Sequence, residues 1–224
     1  MKLCYYPIST TGRPVMLFAA ESRIPLELPV VDLFTGEHTP PTYAALNPNN
    51  LVPALEDGNF ILTENSATLK YLADKTDSPA YPKDLQRRAR VTERMDWTST
   101  QLCSHLVYAL VYPKIFDTHK HRSDEAQTAT LERGEVRQQA WLKVLDQDVL
   151  GPGNHHLCGD ATTIADYHAA SCVALPEVVG SDMAAPPDVR HCLGGVKALK
   201  SWPQMNQVID GDAASLKGNT TVAV

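Results

Sequence analysis

The chain has 224 residues, with 43% hydrophobic and 21% charged side chains, a composition typical of folded globular proteins. Its formal net charge is -6, which argues against DNA or RNA as the main partner, since nucleic-acid binders usually carry a basic stripe. The N-terminus lacks the apolar run of a signal peptide, and no stretch approaches the ~20 apolar residues of a membrane span, so we expect a cytoplasmic protein with no membrane partner.

The first 76 residues alternate strand and helix signals in the order β-α-β-(α)-β-β-α. Residues 3–6 are rich in β-forming side chains. Residues 13–20 predict a helix with Pro14 near its first turn, where a missing N–H costs little. Residues 26–33 alternate apolar and polar side chains, which predicts a second strand.

A hairpin and a helix complete this first half. Residues 54–56 and 60–62 flank an Asp-Gly-Asn sequence that is typical of a β-turn between two strands. Residues 65–75 then predict a helix with its leucines on one apolar face.

The remainder of the chain is predicted to be helical. Two prolines in residues 77–84 break any helix, so we place a linker there. Long amphipathic segments follow at 85–116 and 123–150, a third helix opens with a capping box of Thr163 and Asp166, and shorter helices follow near 189–199 and 203–209. We therefore predict an α/β domain over residues 1–76, a linker over 77–84 and an all-helical domain over 85–224.

The five cysteines are scattered and odd in number, without a CxxC pair or a zinc-ligand spacing. This pattern predicts reduced, mostly buried thiols, with neither a disulfide framework nor a metal site. The residues concerned are Cys4, Cys103, Cys158, Cys172 and Cys192.

Five motifs, in the right order and spacing, resemble those of one known family. They are Tyr5 to Val15, Val31 to His38, Asn47 to Leu55, Leu62 to Leu72 and, in the helical half, Cys158 to Asp166. The first resembles a strand followed by a loop with a catalytic serine and an arginine, the third an NPxxxVPxL segment with a cis proline, and the fifth a G-D-x-(S/T)-I-A-D signature. Together they resemble the cytosolic glutathione transferases, closest to the theta and delta types and to their bacterial relatives.

The resemblance implies a fold and an activity. The fold is an α/β thioredoxin-like N-terminal domain followed by an all-α C-terminal domain, and the implied assembly is a cytoplasmic homodimer. The implied activity is that of an enzyme that activates glutathione, its co-substrate, as a thiolate for attack on an electrophilic, halogenated or aromatic substrate. The family pattern needs no metal.

The resemblance places the catalytic hydroxyl at Ser9, four residues before Arg13. A free thiol with a pKa of ~8.5 is only a few per cent thiolate at neutral pH. A hydroxyl that donates a hydrogen bond to the sulfur favours the charged form. Thr10 is the rival for this role, because the loop can be aligned one residue out.

The resemblance also implies where glutathione binds. The Val52-Pro53 bond is expected to be cis, with the Val52 backbone pairing with the cysteinyl part of the ligand. Glu64 and Asn65 stand where the family has a Glu-Ser pair that binds the γ-glutamyl group, and Ser66 can substitute for the missing serine. His38 and Asn50 are expected at the glycyl carboxylate, and Arg13 at the γ-glutamyl end or as a brace of the fold.

The electrophile pocket is expected between the serine loop and the long helix after the linker. An aromatic stripe at helical spacing is more often core than binding site, so both interpretations remain open. The inward-facing candidates are Gln101, His105, Tyr108, Tyr112 and Phe116.

Two alternative functions remain from the sequence. The first is a protein of the same fold that has lost turnover and serves interaction or regulation, which the Asn65 substitution favours. The second is a glutathione-dependent dehalogenase, isomerase or peroxidase, which uses the same thiolate.

Overall fold

The structure is a computed structural model. It describes residues 1–116, 119–120, 123–151, 153–179 and 186–216, with backbone only for 210–216. The first half contains a sheet flanked by helices, with three regular strands where the sequence predicts four. Its elements are β1 (Lys2–Cys4), α1 (Gly12–Glu21), α2 (Pro41–Ala44), β2 (Ala54–Asp57), β3 (Phe60–Thr63) and α3 (Asn65–Lys75).

The sheet has the order β1-β2-β3, with both neighbouring pairs antiparallel. Leu55 in the central strand pairs with Leu3 on one side and with Leu62 on the other. Leu3 and Leu55 are fully buried against α1 and α3, which carry the apolar faces that the sequence predicts.

The second strand predicted at residues 26–33 is not a regular strand. The segment runs parallel to β1, but it makes only isolated bridges at Glu27 and Val30. Glu27 N–H donates to Met1 and Val31 N–H donates to Tyr5, at 3.0 and 2.8 Å. Pro29 lies midway between these two donors and has no N–H, so the central rung of the ladder is missing.

The helical half begins at Leu85, and the segment between α3 and this residue carries no helix or strand. That supports the linker at residues 77–84, whose limits stay a prediction. The elements are α4 (Leu85–Trp97), continued by the π-helical segment π1 (Thr98–Val111) and α5 (Tyr112–Ile115), then α6 (Asp124–Val144), continued by π2 (Leu145–Leu150), then α7 (Ile164–Val178), α8 (Pro187–Lys197) and α9 (Trp202–Leu216).

Helix α7 begins at the capping box that the sequence predicts. The Asp166 carboxylate accepts from the Thr163 backbone N–H at 2.7 Å and from its hydroxyl at 2.9 Å. Leu157 N–H also donates to this carboxylate, which ties the preceding loop to the helix. The residues of α7 are buried almost throughout, because the helix packs against α1, α4 and π1 at the centre of the molecule.

Helix α6 packs closely on π1 because it has a glycine at the point of contact. A Cβ atom at Gly134 would lie 3.2 Å from the backbone oxygen of Ala109, closer than side chains normally approach. The glycine therefore sets the spacing between the two helices.

The prediction that all cysteines are reduced is wrong for one pair. Cys103 in π1 and Cys172 in α7 form a disulfide, with a Cα–Cα separation of 5.9 Å. Cys4, Cys158 and Cys192 are free thiols. The sequence pattern did not indicate the pairing, because the two residues are 69 positions apart and only packing of π1 on α7 brings them together.

Across the described ranges, no helix combines the length and the apolar character needed to cross a bilayer.

Candidate active site

A cavity of about 340 Å³ lies between the two halves of the molecule. Its size is within the usual range for small-molecule sites. One wall comes from the loop before α1, the segment before β2 and the start of α3, and the other from π1, α5, α7 and α9. Its lining consists of Tyr6, Ile8, Ser9, Thr10, Thr11, Leu33, Phe34, His38, Asn47, Leu51, Val52, Pro53, Glu64, Asn65, Tyr108, Tyr112, Ile115, Phe116, His119, Leu175, Val178 and Ile209.

Three consecutive hydroxyls line the cavity just before α1, and each has different partners. Ser9 Oγ accepts from the backbone N–H of Gly12 at 3.1 Å and lies 3.1 Å from Thr11 Oγ1. Thr11 donates its own proton to the carbonyl of Val52 at 3.0 Å. Thr10 is buried and pairs with the Tyr112 hydroxyl at 3.0 Å.

The direction of the Ser9–Thr11 hydrogen bond follows from these partners. Because the Thr11 proton goes to Val52, Ser9 is the donor to Thr11. The Gly12 N–H, at the first turn of α1, polarises the Ser9 hydroxyl and makes it a better donor. Ser9 therefore has a proton that it can redirect to a ligand by rotating one bond.

The Val52-Pro53 peptide bond is cis, as expected from the sequence. The Val52 carbonyl accepts from Thr11. Among the described residues no acceptor faces the Val52 N–H, although Val52 is largely buried. Val52 lines the cavity, so this donor is available to a ligand there.

Glu64 and Asn65 both line the cavity where α3 begins. Glu64 has a φ of +67°, which a non-glycine residue adopts only at a cost of about 1–3 kcal/mol. Asn65 is buried, and its Nδ2 lies 3.1 Å from Nδ1 of His168. Ser66, the residue expected to replace the missing serine, does not line the cavity.

His38 and Asn50 were both expected at the carboxylate end of the ligand. His38 lines the cavity, and its Nδ1 is buried without a hydrogen-bond partner in the described part of the chain. Asn50 lies outside the lining, with a φ of +53° and an equally unpartnered Oδ1. Asn47, which sequence reasoning missed, takes its place in the lining and donates to the Leu51 carbonyl at 2.7 Å.

Arg13 does not line the cavity and braces the fold instead. Its guanidinium is buried and donates to Oδ1 of Asn206 in α9 at 2.5 Å. A second bond runs from its Nε to the carbonyl of Ser9 at 3.4 Å. Arg13 thus supports the serine loop from behind.

The opposite wall is aromatic. Tyr112 contacts Tyr108, Phe116 and His119 with ring centroids 5.0 to 5.2 Å apart, and Phe34 contacts Phe116 at 6.1 Å. Burial raises the pKa of Tyr108 and raises that of Tyr112 to about 12, so both hydroxyls stay neutral at physiological pH. Burial lowers the pKa of His119, which favours its neutral form.

Gln101 and His105, expected in this pocket, lie outside it. His105 faces α6, where Trp141 Nε1 approaches its Nδ1 at 3.3 Å. The physical reason is the helix type. Hydrogen bonds from i to i+5 put more residues into each turn than an α-helix has, so Gln101 and Tyr108, seven residues apart, no longer share a face.

Sequence reasoning missed the apolar end of the cavity. Leu175 and Val178 in α7 and Ile209 in α9 line it beside Ile115. These residues continue ordinary apolar helix faces, and no sequence signal separates them from core. His119 was also missed. Within the part of the chain that the structure describes, no group of three or more His, Cys, Asp or Glu side chains could hold a metal ion.

Comparison with known proteins gives consistent results. The family model described as "Glutathione S-transferase, N-terminal domain" matches residues 8–75. Human glutathione S-transferase theta-1 is 38% identical over 209 residues, covering 92% of this chain and 81% of the relative. The crystal structure of human glutathione transferase theta-2, in complex with glutathione and an unknown ligand, has a TM-score of 0.82 at 28% identity and covers 100% of this chain and 93% of that one.

The likeness extends to a delta-class enzyme. A Nilaparvata lugens delta-class glutathione transferase has a TM-score of 0.80 at 28% identity, covering 98% of this chain and 99% of that one. The architecture is therefore the glutathione transferase fold that the motifs predicted. The 38% identity to human theta-1 extends over 92% of the chain. The chain therefore belongs to the glutathione S-transferase family and, within it, to the theta class.

Proposed function

We propose that this glutathione transferase uses Ser9 to hold the glutathione sulfur as a thiolate, which then attacks an electrophilic carbon of a small molecule. The observation that carries the proposal is the Ser9 hydroxyl itself. It lines the cavity at the first turn of α1, accepts a backbone N–H and has a proton that it can redirect. Thr10 is less suited, because its hydroxyl is buried and paired with Tyr112.

Glutathione is proposed to lie along the wall of the first domain. Its γ-glutamyl end would meet Glu64 and Asn65, where the start of α3 favours an anion. Its cysteinyl backbone would accept from the Val52 N–H, and its glycyl carboxylate would accept from His38. The unpartnered Val52 N–H and His38 Nδ1 support this placement.

The electrophile is proposed to lie against Tyr108, Tyr112 and Phe116. Several aromatic rings in contact favour planar aromatic substrates, which stack on or meet such rings at their edges. The neutral Tyr112 hydroxyl can donate to a developing negative charge on the substrate, although it first has to leave Thr10.

The test is the pKa of the bound thiol, read from the ultraviolet absorbance of the thiolate. Ser9→Ala removes one hydrogen bond to an anion, so we expect this pKa to rise by about one to two units and turnover at neutral pH to fall about 10- to 100-fold. Thr10→Val, the matched variant, should leave the thiol pKa unchanged. The opposite pattern would reject Ser9 in favour of Thr10.

We also propose a homodimer. Leu51, Phe60 and Leu85 are large apolar side chains that are 59%, 47% and 79% exposed in the single chain, which supports burial against a second copy. Light scattering should give twice the mass of one chain, and Phe60→Lys with Leu85→Arg should halve it. A wild-type chain that scatters as a monomer at micromolar concentration would contradict the proposal.

The cytoplasmic location and the relationship to bacterial relatives stay predictions. The Cys103–Cys172 disulfide bears on the first of these, because disulfides rarely persist in a reducing cytosol. Thiol labelling of the native protein in a cell extract shows whether the pair is oxidised there.

A further inference from the structure

Behind the wall of the cavity, a buried histidine of α7 lies between two polar side chains. His168 Nδ1 lies 3.1 Å from Asn65 Nδ2, and His168 Nε2 lies 2.9 Å from Ser99 Oγ. The His168 side chain is almost fully buried and does not line the cavity. His168 therefore contacts the proposed γ-glutamyl site only through Asn65.

The direction of these hydrogen bonds follows from the donors. An amide nitrogen only donates, so His168 Nδ1 accepts from Asn65. The ring is neutral, because burial lowers the pKa of His168 to about 4. Its single proton is then on Nε2, which donates towards Ser99 Oγ.

A serine, a histidine and a third polar side chain in line also form the triad of some hydrolases. In such a triad the ring accepts the serine proton at Nε2. Here Nε2 is the donor, so the ring does not activate Ser99. The arrangement instead fixes the side chain at its other end, which is Asn65.

Fixing Asn65 leaves two of its polar groups for a ligand. One N–H of its amide goes to His168, while the second N–H and Oδ1 remain. Among the described residues, none donates a hydrogen bond to this Oδ1. An α-amino acid end carries an ammonium, which donates, and a carboxylate, which accepts, so an amide can pair with both.

We propose that His168 is a positioning residue that holds the Asn65 amide in place for the γ-glutamyl end of glutathione. The inference rests on the proposed function, since it takes glutathione to be the ligand of Asn65. The amide of asparagine rotates broadly about χ2, so its N–H and Oδ1 can point in several directions in the free protein. Fixing this rotation before the ligand arrives lowers the entropy lost on binding.

The first test compares two substitutions of the histidine. His168→Leu removes both ring nitrogens, and we expect the KM for glutathione to rise about 5- to 10-fold, the loss of one hydrogen bond, with kcat at saturating glutathione and the KM for the electrophile unchanged. His168→Asn offers an Oδ1 that can accept from Asn65 and should restore most of the affinity. His191→Leu, at an exposed position of α8, is the matched control.

The second test asks whether His168 acts through Asn65. In an Asn65→Ala background, His168→Leu should weaken glutathione binding no further. Additive losses in the double variant would overturn the inference. An unchanged KM in a folded His168→Leu protein would overturn it as well.

Nitrogen-15 spectra of the imidazole provide a readout without activity. We expect Nδ1 of His168 to be unprotonated and Nε2 to be protonated in the free protein, whereas a proton on Nδ1 would overturn the inference. Failure of the proposed function gives a different result, in which the wild-type chain does not bind glutathione at all. If wild type and His168→Leu bind it equally, only the positioning role fails.

Discussion

At the scale of single residues, hydrogen-bond partners distinguish side chains that look equivalent in the sequence. Ser9, Thr10 and Thr11 are three adjacent hydroxyls, and any of them satisfies a loose motif. The Thr10 hydroxyl is paired with that of Tyr112 and the Thr11 proton is committed to Val52, whereas Ser9 accepts a backbone N–H and keeps a mobile proton. The partners favour the serine that the sequence pattern also favours.

His168 gives a prediction about stability and pH. Its pKa is about 4 in the folded chain and 6.5 in the reference state, so the unfolded chain takes up the proton first as the pH falls. The folded state is destabilised as a result. The loss of unfolding free energy is absent above about pH 6.5, grows as the pH falls and levels off below about pH 4 at about 3 kcal/mol. Urea unfolding at pH 7 and at pH 4.5 measures the loss.

His168→Asn is the matched control, because asparagine does not titrate. Other groups titrate in both proteins, and their effects cancel in the difference between the two pH dependences. We expect wild type to lose about 2–3 kcal/mol more than the variant between the two pH values. Equal losses would mean that the ring is not buried as a neutral group.

At the scale of elements, the disulfide between π1 and α7 gives a second prediction. It closes a loop across 69 residues, and the chain-entropy model assigns such a loop on the order of 4 kcal/mol. We expect dithiothreitol to lower the Tm of wild type and to leave a Cys103→Ala/Cys172→Ala variant unchanged.

Counting thiols provides the check on this prediction. The unfolded, unreduced chain should react as three free thiols, Cys4, Cys158 and Cys192, and the reduced chain as five. Five reactive thiols without reductant would show that the bond does not form in solution.

The sequence predicts elements well where local chemistry decides them. The Asp-Gly-Asn turn fixes the β2–β3 hairpin, and Thr163 with Asp166 fixes the start of α7. Prediction from the sequence fails where a strand or helix depends on tertiary contacts, or on whether a helix forms α-type or π-type hydrogen bonds. The alternation at residues 26–33 is that of a strand, but Pro29 interrupts it. The proline lies where a backbone N–H would donate to β1, and the sequence does not show which of its N–H groups face the neighbouring strand.

The same limit applies to the site. The motifs correctly place Ser9, Val52 and Glu64 beside one cavity, because short segments around the sheet position them. Which side chains of the helical wall face the cavity depends on the rotation of each helix about its axis. An α-helical spacing puts Gln101 on the same face as Tyr108, and the π-helical geometry of Thr98–Val111 separates them.

At the scale of the whole molecule, the first and last described helices are joined by polar contacts. Arg13 donates to Asn206, and the Ser201 backbone N–H donates to the Glu21 carboxylate at 2.7 Å. The main apolar core also runs without interruption from Leu3 in the sheet to Trp202 in α9. We therefore expect the two halves to unfold as one cooperative unit.

This arrangement predicts a single unfolding transition that is sensitive to Asn206. Asn206→Leu removes a hydrogen bond to a charged group, so we expect a loss of about 1.5–3 kcal/mol of unfolding free energy. Calorimetry should show one peak at a lower temperature, and Asn206→Asp, which keeps an acceptor for Arg13, should lose less. Two separate peaks in wild type would contradict a single cooperative unit.

The division of the cavity between two parts of the chain bears on directed evolution. Groups proposed to hold glutathione come from residues 9–65, whereas most of the aromatic wall comes from residues 108–119. A mutant library confined to the second range can therefore diversify the choice of electrophile while the co-substrate site is left alone. Tyr112 is the position to keep constant in such a library, because its hydrogen bond to Thr10 joins the two walls of the cavity.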